Sequence, residues 1–157
     1  MQEFFNIYFP EFQILGQTAL AMFLGALIGL DREFAKKPAG LRTHMLVAGA
    51  AALIMNLTKI SVIHFDKMFL SEYLQADPIR VFVAVVTGIS FLGAGTIIRQ
   101  AKRTHVEGLT TAAALLFSAV IGMGVALSQY VLAIGSTILA IITLWSLAKI
   151  QYWISNR

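Results

Sequence analysis

Residues 81–98 read VFVAVVTGISFLGAGTII, a run of 18 residues without a charged side chain. An α-helix rises about 1.5 Å per residue, so this run is nearly long enough to cross the roughly 30 Å hydrocarbon core of a bilayer. Asp77 and Pro78 stand just before it, where proline is tolerated in a first helical turn and a carboxylate complements the positive helix end. The run therefore predicts a transmembrane helix that starts near this pair.

The composition extends this prediction to the whole chain. The 157 residues are 58% hydrophobic and 13% charged, whereas an ordinary soluble domain carries about 25% charged residues. Four to six helices of about 20 residues would use nearly all of the chain. We therefore expect one all-α integral membrane domain over residues 1–157, with the lipid bilayer as its surroundings.

Five apolar segments alternate with polar connections. The predicted spans cover about 12–30, 43–57, 81–98, 108–127 and 131–147, and residues 128–130 form a tight hairpin between the last two. Residues 59–77 mix apolar and charged side chains at helical spacing, which indicates an amphipathic interfacial segment or an ordered loop. The pattern predicts a bundle of about five transmembrane helices.

The basic residues predict the orientation. If the N-terminus is outside, nine lysines and arginines flank the spans on the inside and three on the outside. The inner residues are Arg32, Lys36, Lys37, Arg42, Arg99, Lys102, Arg103, Lys149 and Arg157, and the outer ones are Lys59, Lys67 and Arg80. Because inner loops carry the excess of positive charge, we expect the N-terminus outside and the C-terminus in the cytoplasm.

Several classes of function lack their sequence signals. The chain has no cysteine, so disulfides and thiolate sites are excluded. It has no Gly-x-Ser-x-Gly or His-Glu-x-x-His motif, and its glycine-rich run lacks the Gly-Lys-Ser/Thr ending of a phosphate loop. The net charge of +4 does not form a basic stripe with interleaved aromatics, as nucleic-acid binding requires. We therefore predict no enzyme, no catalytic residues and no nucleic-acid partner.

Small residues recur within the predicted spans. Such residues let helix backbones approach closely where lipid provides no hydrophobic drive for association. The candidates are Gly25, Gly29, Ala84, Gly88, Gly93, Gly95, Gly122 and Gly124. They indicate tight packing within one bundle, with a pore lining or a dimer seam as alternatives, and we expect a homo-oligomer with a dimer favoured.

Polar residues gather beside the spans at the predicted cytoplasmic side. They are Asp31, Arg32, Glu33, Arg42, His44, Glu107, Thr110 and Thr111. They can form arginine–carboxylate pairs and helix caps, or they can form a cation or partner site. Magnesium prefers oxygen ligands, but only eight acidic residues exist and none lies in mid-span. We therefore predict no cofactor, with Mg²⁺ binding only weakly supported and the metal ligands unknown.

Two further positions carry alternative roles. Asp77 and Arg80 stand three residues apart, hence on one helix face, and predict a cap and anchor on the outer side or a cation ligand at Asp77. His44 stands at a span entrance, where it is either a hydrogen-bonded structural residue or a group that titrates near neutral pH.

Five ordered motifs carry a resemblance to a known family. They are Gly25-x-x-x-Gly29-x-Asp31-Arg32-Glu33, Ala39-Gly40-Leu41-Arg42-Thr43-His44, Asp77-Pro78-x-Arg80, Phe91-Leu92-Gly93-Ala94-Gly95 and Gly108-Leu109-Thr110-Thr111-Ala112-Ala113. In this order and spacing the chain resembles the membrane domain of the MgtC/SapB proteins over nearly its whole length.

The resemblance implies a bacterial inner-membrane protein with five transmembrane helices. Members are linked to growth under magnesium limitation and to survival of pathogens inside macrophages. The family picture favours a regulator that restrains the F-type ATP synthase over a magnesium transporter. Many members continue into a soluble C-terminal domain, which we do not expect in a sequence that ends at Arg157.

The leading hypothesis is a non-enzymatic membrane regulator that contacts a membrane partner, such as a membrane subunit of F-type ATP synthase. A transporter or channel for magnesium or protons is the first alternative. A structural subunit of a membrane complex is the second.

Overall fold

The computed structural model describes residues 2–69, 77–98 and 108–155. Over this part of the chain it consists of five helices and no strand. They are α1 (Gln2–Phe34), α2 (Leu41–Phe69), α3 (Pro78–Ile98), α4 (Leu109–Ala126) and α5 (Tyr130–Ser155). The predicted all-helical class is confirmed. Residues 70–76, the basic stretch 99–107 with its Glu107, and Arg157 lie outside the described residues.

Within the part of the chain that the structure describes, four helices contain segments long and apolar enough to cross a bilayer. These segments are Tyr8–Phe34, Leu41–His64, Ile79–Ile97 and Leu109–Ala126, and α5 adds the shorter apolar segment Tyr130–Ser146. The chain is therefore a multi-pass membrane protein.

The second helix is longer than predicted. We expected its span to end near residue 57 and a separate segment to follow, but α2 continues unbroken to Phe69. Residues 50–69 contain no glycine or proline to end the helix. The charge of Lys59 is accommodated because its ammonium group donates a hydrogen bond to the carbonyl oxygen of Ala126 on α4.

The core of the bundle lies between α1, α2 and α4, around Ala48. Ala48 is fully buried. A Cβ atom on Gly25 would lie 2.9 Å from the Cβ of Ala48, and a Cβ on Gly122 would overlap the carbonyl oxygen of Ala48. The two glycines therefore let the backbones of α1 and α4 each pack closely against α2 at Ala48, as small residues do in membrane bundles.

These contacts also set the helix directions. Gly25 meets Ala48 and Gly29 meets Leu41, so α1 and α2 run in opposite directions. Gly122 meets Ala48 and Ala126 meets Lys59, so α2 and α4 run in the same direction. The α1–α2 connection and the start of α4 consequently share one end of the bundle, called the loop end here. The α4–α5 connection at residues 127–129 lies at the opposite end of the bundle, called the hairpin end here.

Helix α3 lies at the periphery of the bundle. Only 11% of the apolar segment of α3 is buried, compared with 56% for α4. Helix α3 touches α4 through Gly93, where a Cβ atom would lie 3.0 Å from the Cβ of Ala112. Its outer face exposes apolar side chains such as Phe91, which suits a surface that faces hydrocarbon.

Candidate functional site

The loop end contains a partly buried ion pair between neighbouring residues of α1. The Nε of Arg32 lies 3.3 Å from the Oδ2 of Asp31, and Arg32 is only 4% exposed. Neither atom has a hydrogen-bond partner within the described residues, so the two groups are in ionic contact without an aligned hydrogen bond. The pair neutralises both charges at the end of α1.

Glu33 caps the next helix. Its Oε2 accepts a hydrogen bond of 3.0 Å from the backbone N–H of Leu41, the first residue of α2. A carboxylate at this position satisfies an orphan donor and complements the positive helix end. A Cβ on Gly40 would overlap the Glu33 carboxylate, so this glycine makes room for the cap.

His44 lies fully buried between α1 and α2. Its Nδ1 is 2.9 Å from the carbonyl oxygen of Gly40. Because a carbonyl can only accept, Nδ1 carries the hydrogen and the neutral ring has a lone pair on Nε2. Nε2 has no partner in the described part of the chain. The histidine is thus held by the backbone of its own first turn, inside the bundle.

The predicted cytoplasmic cluster is only partly brought together. Asp31, Arg32, Glu33 and His44 line the α1–α2 junction at the loop end, while Arg42 is exposed. On α4, Thr111 is buried and Thr110 is exposed. Within residues 2–69, 77–98 and 108–155, no three histidine, aspartate or glutamate side chains lie close enough to share a metal ion.

The predicted outer pair caps α3. Asp77 Oδ1 accepts a 3.0 Å hydrogen bond from the N–H of Ile79, and its Oδ2 lies 3.5 Å from the Nε of Arg80. The Arg80 side chain is 88% exposed, and exposed ion pairs contribute little to stability. The geometry is that of a helix cap with an anchoring arginine.

The small residues divide into two groups. A Cβ on Gly25, Gly29, Gly93 or Gly122 would meet another helix at 3.0 Å or less, and one on Gly124 would reach Ala133 only at 3.8 Å. By contrast, a Cβ on Gly88 or Gly95 would meet no atom of residues 2–69, 77–98 and 108–155 within 4 Å, and Ala84 is exposed. These three residues of α3 form an outer small-residue face.

A polar network at the hairpin end escaped the sequence analysis. The side-chain amide of Gln17 donates to the hydroxyl oxygens of Ser128, at 3.2 Å, and Tyr130, at 3.0 Å. The Lys59 bond to Ala126 lies at the same end. Nearby on α2, Asn56 is 3% exposed and its Nδ2 has no partner in the described residues. The polar Gln17 within an apolar span was the available signal.

An open groove lies between α1, α4 and α5. Its volume is about 250 Å³. Ile28 and Ala114 form its buried floor, while Phe117 and Leu139 are 40% and 64% exposed at its rim. The groove therefore opens sideways, towards the lipid that surrounds the helices.

The helical bundle and its capped loop end define a multi-pass membrane protein in which small residues hold the helices together. Residues 18–153 match the family model described as "MgtC family", and the chain belongs to this family.

Named relatives agree with this assignment. The "Putative magnesium transporter YhiD" of Escherichia coli K12 is 33% identical over 138 residues, which cover 88% of this chain and 62% of that protein. "Protein SapB" of Bacillus subtilis is 30% identical over 141 residues, covering 87% and 59%. "Protein MgtC" of Salmonella typhimurium is 42% identical over 120 residues, covering 76% and 46%. The chain thus spans about half to three fifths of these curated relatives. No solved structure matches it.

Proposed function

We propose that this chain is a non-enzymatic membrane regulator linked to magnesium limitation and virulence-type adaptation. It acts by helix-to-helix contact with a membrane partner, for which a membrane subunit of the F-type ATP synthase is the favoured candidate. The observation that carries the proposal is the outer small-residue face of α3, formed by Ala84, Gly88 and Gly95.

The open space on this face supports contact with another helix. Among the described residues, no atom lies within 4 Å of a Cβ placed on Gly88 or Gly95, and these residues bury little of α3. A second helix can therefore contact α3 at Gly88 and Gly95, where small residues leave room for association in lipid. Phe91, which lies on the same face and is 84% exposed, would pack against that helix. The homodimer that we favour would use the same face.

The polar groups at the loop end support a regulatory role, because their carboxylates are engaged in contacts within the chain. Glu33 is engaged as the cap of α2 and Asp31 is paired with Arg32. Glu33 joins α1 to α2 and Asp31 is paired within α1, so both carboxylates are engaged inside the chain and the outer face of α3 is the better candidate for partner contact.

The test is proton pumping in inverted membrane vesicles with and without this protein, driven once by ATP and once by respiration. Loss of the ATP-driven signal alone supports restraint of ATP synthase. Gly88→Leu should restore that signal because it fills the outer face. Gly16→Leu is the matched control, since Gly16 on α1 also has open space around its Cβ position. An unchanged ATP-driven signal with the wild type would contradict the proposal.

Transport of magnesium or protons is the second candidate. It is favoured by buried polar atoms without hydrogen-bond partners in the described residues, at His44 near the loop end and Asn56 near the hairpin end. Such groups inside membrane proteins often mark ion pathways. This candidate predicts cation flux in sealed liposomes that Asp31→Asn abolishes, with loss of both vesicle signals through an ion leak. Absence of cation flux with the wild-type protein would exclude this candidate.

A further inference from the structure

The groove between α1, α4 and α5 has room for part of an apolar chain and is open on one side. Its volume of about 250 Å³ falls below the roughly 300–1,000 Å³ of pockets that enclose a whole drug-sized ligand. It has a buried floor at Ile28 and exposed rim side chains at Leu139 and Phe117. Part of a long molecule could lie in it while the rest stays in the surrounding lipid.

The chemistry of the lining selects an apolar occupant. Within the described residues, polar side chains reach the groove only from Thr110 and Thr143. The Thr143 hydroxyl already donates a 2.8 Å hydrogen bond to the carbonyl oxygen of Leu139. A polar ligand would therefore lose its hydration with almost no compensation, whereas a hydrocarbon chain would not.

The charges at the loop end favour an occupant that carries a negatively charged headgroup there. Thr110 places one end of the groove in the first turn of α4, and the N-cap residue of this helix, Gly108, has no side chain to cap it. The same end exposes the basic residues Lys36, Lys37 and Arg42. Of the acidic residues that the structure describes there, Asp31 pairs with Arg32 and Glu33 caps α2.

From these observations we infer that the groove binds one acyl chain of an anionic phospholipid, with the headgroup towards the loop end. The exposed lysines and Arg42 attract the negative headgroup, as basic residues beside membrane spans do. The positive end of the α4 helix dipole favours the same charge. The inference is independent of the proposed regulatory function, because it concerns a different face of the bundle from the outer face of α3.

Photo-crosslinking of the full chain tests the inference without any substitution. The probe is a trace of phosphatidylglycerol with a diazirine midway along one acyl chain, added to the protein in mild detergent. Peptide mapping should place the adducts on residues 109–117 and 139–144, several-fold above the exposed face of α2. A phosphatidylcholine probe with the same chain should label these segments several-fold less. Even labelling of all exposed helix faces, or equal labelling by the two probes, would overturn the inference.

A filled groove provides the second test. Ala113 lines the groove and is exposed, so Ala113→Phe should occupy the space and reduce the crosslinking several-fold. Ala50→Phe is the matched control, because Ala50 is also exposed but lies on α2, away from the groove. Undiminished labelling of a folded Ala113→Phe protein would contradict the inference. If that variant does not fold, the probe comparison on the wild type still decides.

Discussion

The carboxylate of Glu33, near the end of α1, accepts a 3.0 Å hydrogen bond from the backbone N–H of Leu41, the first residue of α2. One helix thus caps the next across a short connection. The cap places the acidic end of the Asp31-Arg32-Glu33 motif against the Ala39-Gly40-Leu41 motif. This contact gives a structural reason for finding the two motifs together.

Removal of this cap should destabilise the α1–α2 junction. Glu33→Ala leaves the Leu41 N–H without its acceptor, and loss of a side-chain cap costs about 1 kcal/mol of stability. Thermal unfolding in detergent, followed by size-exclusion chromatography of the surviving protein, measures the change. Glu33→Gln keeps an acceptor oxygen and should lose less. Equal stability of Glu33→Ala and the wild type would show that the cap is dispensable.

Alanine should have opposite effects at two glycines. At Gly122 the new Cβ would overlap the Ala48 carbonyl oxygen, and such overpacking costs roughly 1–3 kcal/mol. At Gly16 the described part of the chain places no atom within 4 Å of the new Cβ, so alanine should stabilise the helix by roughly 0.5–1 kcal/mol. The same unfolding measurement on both variants tests the signs. If the two variants shift in the same direction, the close contact of α2 and α4 is not as described.

The sequence predicted which residues pack closely better than it predicted their neighbours. Gly25, Gly29 and Gly122 stood out because small residues are conspicuous in apolar spans. The sequence could not predict that Gly25 and Gly122 both pack against Ala48, since this depends on which helices become neighbours in three dimensions. Gly88 and Gly95 look the same in the sequence, yet they face outwards. The local sequence pattern shows that another helix can pack closely at these positions, but not which helix does so.

The polar residues show a similar limit. The cap by Asp77 followed from its place directly before Pro78, because capping is a local interaction. The partners of Gln17 lie more than 100 residues away at Ser128 and Tyr130, beyond any local rule. The end of the second span was placed too early because residues 59–77 mix apolar and charged side chains, whereas the charge of Lys59 meets an acceptor on α4 inside the fold.

The Lys59 contact should contribute measurably to stability. Lys59→Met keeps the length and the apolar stem but removes the ammonium donor to Ala126, and hydrogen bonds to charged groups contribute about 1.5–3 kcal/mol. We expect a lower unfolding temperature in detergent for this variant. Lys37→Met, at an exposed position of the α1–α2 connection, should leave the temperature unchanged. Identical behaviour of the two variants would argue against a specific contact.

The predicted orientation can be tested directly because the chain has no cysteine. Gln129 is exposed in the α4–α5 connection and Lys37 in the α1–α2 connection, at opposite ends of the bundle. With the N-terminus outside, a membrane-impermeant maleimide added to intact cells should label Gln129→Cys at once. It should label Lys37→Cys only after the membrane is permeabilised, because the excess of basic residues keeps that connection inside. The reverse labelling pattern would invert the topology and place the basic loop end outside, so this single experiment also decides which leaflet supplies the phospholipid proposed for the groove.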